Sequence, residues 1–325
     1  MNQPPLNYIG DPSRQYVVTI PDYNIDAPNA RLYTYSRVFF CASYYYKNVS
    51  VIIDHQKIAQ NIPNLHIKIA NENNSIAAFF MVNDSIFMMI DTDWPLYKWT
   101  TWIPHYADRC SAFFVSSLRT STQFIFDNCT IPVYPLPHPC GPGLSGTSEA
   151  MFEYYHSLRL EKMIPIFFHG RYRVRHSRKS IARMLRSNFP EAQIGFKENN
   201  PIDLEEYINL MSRAKIAWCP KSIKCDSGHE CNTLTCKEME AMCLETMILK
   251  TPTHVTEVEE RIAGVHFVEI DNYSRDIVEK VSYYLEHDDE RKEIAHNGRL
   301  YWERNLSPWA RCNYMLTKCI EAMQK

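Results

Sequence analysis

The feature that most constrains this chain is a set of short, almost uninterrupted apolar runs. In the first half these are YVVTI (16–20), SVIIDH (50–55), LHIKIA (65–70), IAAFFMV (76–82), SIFMMID (85–91) and CSAFFVSS (110–117). A strand with one wet face alternates polar and apolar residues. A run without alternation is buried on both faces, the signature of a parallel sheet covered by helices. The second half has PIFFHG (165–170), KIAWCP (215–220), MILK (247–250) and HFVEI (266–270), with helical patterns between them. In 178–189, Ile181, Met184, Leu185 and Phe189 share one face, with Arg183 and Arg186 elsewhere. Asp203 with Glu206 forms a capping pattern that opens a helix over 204–213, with Leu204, Tyr207, Ile208 and Met211 on its core face. A helix spans 236–245, Ser274 caps another through about 286, a third covers 289–304, and Ser307-Pro308 starts the last. This alternation predicts doubly wound α/β sheets. A chain of 325 residues suits two such domains. The Pro- and Gly-rich stretch 132-PVYPLPHPCGPGLSG-146 reads as the linker, giving two Rossmann-like domains that face a cleft.

A net charge of −2 with 22% charged residues excludes a global field that would recruit nucleic acid or anionic membrane. The polar, proline-bearing N-terminus MNQPPLNYIGDPSRQ is not a signal peptide. The most apolar run, 76–90, is broken by Asn83, Asp84 and Ser85 and is too short for a membrane span. Eleven cysteines, an odd number without a C-x-x-C pair, point to a reduced, cytoplasmic chain. The sequons at Asn48, Asn73, Asn83 and Asn128 are read as chance products of an Asn-rich sequence.

In open α/β sheets, ligands bind beyond the carboxyl ends of strands, beside helix N-termini. One such end is 170-GRYRVRHSRK-179, where Gly170 permits close backbone approach and Arg171, Arg173, Arg175, Arg178 and Lys179 crowd a helix start. That combination suits a phosphate or diphosphate, or is simply a solvated basic face. After KIAWCP comes the long loop 221–236, and 231-CNTLTCKE-238 forms the next helix start, where free N–H groups and the Thr233 and Thr235 hydroxyls suit phosphate oxygens. One turn on, Glu240 is placed to accept both hydroxyls of a ribose. Its neighbours Glu238 and Glu245 read as solvent-facing or structural. Cys225, His229, Cys231 and Cys236 match no usual zinc spacing, so no metal is expected there.

Strand, loop, then Lys237-x-x-Glu240-Ala241-Met242 and Ile248-Leu249 resembles the nucleotide-binding core of GT-B glycosyltransferases, in the spore-maturation-type, group 1 branch. The resemblance extends over about 108–325: DRCSAFFVSS and the proline-rich passage, EEYINLMSRAKIAWCP before the donor loop, and the closing helices of 283–311. It implies domains at 1–146 and 147–306, with a final helix, 307–325, crossing back to the first. It implies a nucleotide-diphospho-sugar donor held by Gly170, Arg171, Arg175, Pro220, Thr233, Leu234, Thr235, Lys237 and Glu240, with Glu240 on the ribose. No cofactor is implied beyond the donor, such as a UDP- or GDP-sugar. The sequence departs from the family at three places. Asn232 stands where retaining members carry a first glutamate, with Glu230 two residues away. Glu245 replaces a frequent glycine, and 21-PDYNIDAPNAR-31 replaces a glycine-rich loop. The stereochemical outcome stays open.

Transfer to an acceptor hydroxyl, on a glycan or glycoconjugate, needs a base beside an oxocarbenium-like centre. Asp91 and Asp93 in 90-IDTDWP-95, at a strand end, are the candidates, each also able to cap the following turn. His105 and His169 are weaker ones. Two rival readings persist: a nucleotide-sugar-binding module without catalysis, and a phage-type transferase acting on DNA through Arg178, Lys179, Arg183 and Arg186.

Overall fold

The computed structural model describes residues 7–20, 46–61, 77–90, 106–115, 129–136, 158–170, 176–196, 201–220, 235–252 and 261–325. Two compact units divide the chain: Met1–Pro139 with Val255–Val258 and Leu306–Lys325, and Cys140–His254 with Glu259–Asn305.

The first unit holds β1 (Tyr16–Ile20), β2 (Val49–Ile53), helix α1 (His55–Asn61), β3 (Ala77–Val82), β4 (Ser85–Ile90), β5 (Ala112–Val115) and β6 (Val133–Pro135). They form a six-stranded sheet in the order β2-β1-β3-β4-β5-β6. The expected parallel arrangement holds for β1–β2, β4–β5 and β5–β6, but β3 runs antiparallel to both β1 and β4. The cause lies in the break at Asn83-Asp84. Asn83 takes φ 54, a left-handed conformation that Asn tolerates in tight turns, and folds β3 back on β4 as a hairpin. Its carboxamide also accepts from Val17 N at 2.9 Å and its N–H donates to Val17 O at 2.8 Å, pinning the hairpin to β1. Continuous apolar runs report burial on two faces, and this sheet has that without being wholly parallel. Phe80, Val82, Phe87, Met89 and Phe114 join one core, and Phe79, Met81, Ile86, Met88 and Phe113 join the other. Helix α7 (Pro308–Met323) belongs to this unit and fills its first core with Cys312, Met315, Leu316, Cys319 and Ile320. Ser307 caps α7 by accepting from Ala310 N at 3.2 Å, with proline at its first position.

One further reading needs correction here. The supposed linker contributes β6, whose Val133, Tyr134 and Pro135 pair with β5 at the end of the strand order, a position where proline's missing N–H is tolerated. The Asn48 side chain is fully buried, in keeping with its sequon being a chance product, and its carboxamide bonds the backbone of Ile9, Asp11 and Arg14. The predicted strand 65–70 lies outside the described residues.

The second unit holds β7 (Ile164–Gly170), α2 (His176–Asn188), β8 (Gln193–Phe196), α3 (Leu204–Ser212), β9 (Ala214–Cys219), α4 (Cys236–Cys243), β10 (Met247–Lys250), β11 (Val268–Glu269), α5 (Ile277–Glu286) and α6 (Asp288–Tyr301), followed by a π turn over Trp302–Leu306. Its five strands are all parallel in the order β11-β10-β9-β7-β8. Ile166, Phe168, Ile216, Trp218 and Leu249 build one core with Ile181 and Leu185 of α2, Ile277 and Val281 of α5 and Ile294 of α6. Asp203 caps α3, accepting from Glu206 N at 2.8 Å. Ser274 does not cap α5: it is buried with φ 56, and the cap position falls to Asp276, whose carboxylate instead accepts from Asp271 N.

Candidate functional site

The strand order fixes where a ligand can sit. After β7 the chain moves to one side of it for β8, then to the other side for β9 and β10. That reversal opens a crevice beyond the carboxyl ends of β7 and β9, the usual ligand position in such sheets. His169 and Gly170 end β7, Pro220 follows β9, and α4 is the helix that comes next.

Lys237, on the first turn of α4, reaches back to the end of β7. Its Nζ donates to the His169 carbonyl and lies 4.3 Å from the centre of the Phe168 ring. Gly170 is what admits it. A Cβ there would lie 2.9 Å from Phe168 Cζ and 3.3 Å from Lys237 Nζ, so a side chain would push the ammonium aside. The structure thus brings Gly170 and Lys237 together, a cation beside a strand end at a helix start.

Glu238 turns the other way. It is 1% exposed, and its Oε2 lies 3.0 Å from both Lys250 Nζ and Arg261 Nη1. Its Oε1 accepts from Thr235 N at 3.2 Å and from Thr235 Oγ1 at 2.9 Å, while Glu238 N donates to Thr235 Oγ1 at 3.3 Å. This is a capping box anchored on two buried cations. Burial raises the carboxyl's pKa, but Lys250 and Arg261 outweigh it and hold the group down to about 2. The signal was present as Thr235-x-x-Glu238, a pattern that sequence reasoning passed over. It also alters the expectation for Thr235, whose hydroxyl proton goes to Glu238 and not toward a phosphate.

Glu240 is half-buried on α4, and its Oε2 accepts from the Tyr207 hydroxyl of α3 at 2.8 Å. Tyr207 meets Phe167 edge-on at 5.5 Å between ring centres and His169 at 6.4 Å. His169 is 4% exposed. A Cβ on Gly195 would fall 2.5 Å from His169 Cδ2, so the imidazole packs over that glycine. Sequence reasoning assigned Tyr207 to the core face of its helix; no local pattern ties it to a glutamate 33 residues later.

The far end of α4 explains the glycine that Glu245 replaces. Glu245 takes φ 53 just after the helix. Its N–H donates to Met242 O and that of Thr246 to Ala241 O, the double bond of a helix end that favours glycine. Glu245 keeps Arg159 at 3.4 Å and His296 at 3.1 Å. Lys162 covers the Leu244 carbonyl at 2.9 Å, and its burial pushes the amine down to about 7.

Of the predicted donor residues, Gly170, Pro220, Thr235, Lys237 and Glu240 are described; Arg171, Arg175, Thr233 and Leu234 lie outside the described residues, as do Asp91, Asp93, His105, Glu230, Asn232, Cys225, His229 and Cys231. The basic face on α2 is smaller than the spacing suggested. Arg178 is 6% exposed, which leaves Arg183 and Arg186 as its exposed arginines. Among the described residues no helix is long and apolar enough to cross a membrane.

A family model described as glycosyl transferase-like matches residues 158–317. Similar solved structures include HepE of Anabaena in complex with UDP-glucose, at 9% identity, covering 95% of this chain and 100% of that one with a TM-score of 0.49. A glycosyltransferase from Rickettsia africae is 12% identical, covers 94% and 84%, and scores 0.43. TarM of S. aureus is 10% identical with a TM-score of 0.45; the match covers 70% of this chain but only 46% of TarM. At these identities and scores, none of the three transfers a substrate or a residue role. No curated protein matches the chain. The family match over 158–317 includes the parallel sheet that carries Lys237-x-x-Glu240-Ala241, and makes this part of the chain similar to glycosyl transferase-like proteins.

Proposed function

We propose that the chain transfers a sugar from a nucleotide-diphospho-sugar to an acceptor hydroxyl of a glycan or glycoconjugate, without a catalytic metal. The observation that carries this reading is the pairing of Lys237 with the end of β7, one helical turn from the half-buried carboxylate of Glu240, within the family-matched domain. In this reading Glu240 accepts from the ribose hydroxyls. Lys237, Gly170 and the start of α4, with Arg171, Arg175, Pro220, Thr233 and Leu234, face the diphosphate, while Thr235 holds the helix start through Glu238. The sugar's C1–O bond to the β-phosphate breaks as C1 bonds the acceptor oxygen, and the nucleoside diphosphate leaves with the bonding pair. A cation and a helix N-terminus aimed at that developing charge supply several kcal/mol in such sites. The acceptor proton passes to Asp91 or Asp93.

Thermal-shift screening with UDP-, GDP-, CMP- and dTDP-sugars tests this reading, because a ligand that binds only the folded state stabilises it by RT ln(1 + [L]/Kd). We expect one of the diphosphate classes, UDP-, GDP- or dTDP-sugar, to raise the melting temperature and to release nucleoside diphosphate slowly into water; stabilisation by a CMP-sugar alone, which releases CMP, would count against a diphosphate donor. Stabilisation without any release, with or without a glycan acceptor, would leave a binding module. No stabilisation by any of the four would end the reading.

A further inference from the structure

A glutamate that is to accept from two adjacent ribose hydroxyls must hold its carboxylate plane still, yet the terminal torsion of a glutamate is intrinsically broad. We propose that Tyr207 is a positioning residue that orients the Glu240 carboxylate for nucleotide binding, in a chain of contacts that runs from Gly195 through His169. This rests on the nucleotide-sugar reading above.

Three features support it. The phenol donates to Glu240 Oε2 at 2.8 Å, a charge-assisted bond that fixes the carboxylate's rotation more firmly than a neutral one. The phenol itself is fixed, because its ring is wedged edge-on against Phe167 and stands beside His169. His169 in turn is fixed by the absence of a side chain at Gly195, since a Cβ there would come within 2.5 Å of the imidazole. The three groups come from β7, α3 and α4, at the crevice where the strand order reverses. If Tyr207 served only to pack against Phe167, phenylalanine would fill the position equally well.

The test is calorimetric titration of the nucleoside diphosphate (or CMP) that wild type binds into wild type, Y207F, E240Q and Y207F/E240Q, with melting temperatures recorded for each. Y207F keeps the ring and the fold, and we expect roughly tenfold weaker nucleotide binding with little change in melting temperature. In the E240Q background the hydroxyl meets a neutral amide, so adding Y207F should cost only about threefold. Unchanged affinity in Y207F overturns the proposal. So does an equal tenfold loss in both backgrounds, since Tyr207 would then act on something other than Glu240. Wild type binding none of the four nucleotides overturns the underlying reading, and the role of Tyr207 falls with it.

Discussion

The two faces of helix α4 carry the same residue type to opposite ends. Glu238 and Glu240 are two residues apart, about 200° around a helix. Glu238 faces the sheet, is 1% exposed, and meets Lys250, Arg261 and the Thr235 cap. Glu240 stands half-buried on the other face, with a tyrosine hydroxyl on one oxygen. A fully buried carboxylate needs full compensation, and once it has that compensation it serves the fold. A partly exposed carboxylate with a neutral donor can serve a ligand. Under the proposed nucleotide-sugar reading, burial and partner chemistry, not residue identity, separate the structural acid of this helix from the ligand-facing one.

The sharpest way to break this contrast is to remove Glu238. Glu238→Ala leaves two buried cations facing each other and removes the glutamate half of the capping box at the start of α4, and should cost about 3–5 kcal/mol in urea denaturation. The pH profile isolates the charge. The folded pKa of about 2 lies below the ordinary 4.5 because Lys250 and Arg261 outweigh burial. The stabilisation is therefore complete above about pH 5 and is lost as pH falls through 4.5 toward 2. It amounts to roughly 3 kcal/mol. Glu238→Gln should be less stable at pH 7 and lack that acid slope. A variant as stable as wild type at pH 7 would show that Glu238 is not what holds the start of α4.

Glu240→Ala is the matched opposite. It removes one hydroxyl–carboxylate bond from a partly solvated site and installs the best helix former, so the net loss of stability should be about 1 kcal/mol or less. Nucleotide affinity should nevertheless fall by about a hundredfold or more, read by calorimetry on protein whose circular dichroism is unchanged. A loss of stability as large as that of Glu238→Ala would erase the distinction between the two faces.

Most of the second unit was legible in the sequence. Its strands are short apolar runs between helices of clear 3.6-residue period, and a cap such as Asp203 works through a neighbour three residues away. The first unit was less legible. Runs such as AAFFMV and SIFMMI encode two-sided burial, but their direction depended on a left-handed turn at Asn83 and its bond to Val17, a contact across 66 residues. The site divided the same way. Lys237 and Glu240 stand in a local pattern, whereas Tyr207, Lys250, Arg261 and Gly195 reach the site only through tertiary packing that no window of sequence contains. Thr235-x-x-Glu238 was local and readable, and the two cations that bury it were not.

The smallest effect lies at the other end of α4, where the contrast between its faces gives way to backbone geometry. Glu245 holds φ 53, a conformation that costs a non-glycine residue about 1 kcal/mol relative to glycine. Against this stand its ion pairs with Arg159 and His296, whose side chains are 46% and 58% exposed; exposed pairs of this kind contribute only a few tenths of a kcal/mol each. Relief of the backbone should win narrowly. Glu245→Gly is therefore expected to raise stability by about 0.5 kcal/mol in urea denaturation and to leave nucleotide affinity unchanged, since the site lies at the opposite end of the helix. A destabilised Glu245→Gly protein would mean that the pairs with Arg159 and His296, and not the helix-end conformation, decide what residue stands there.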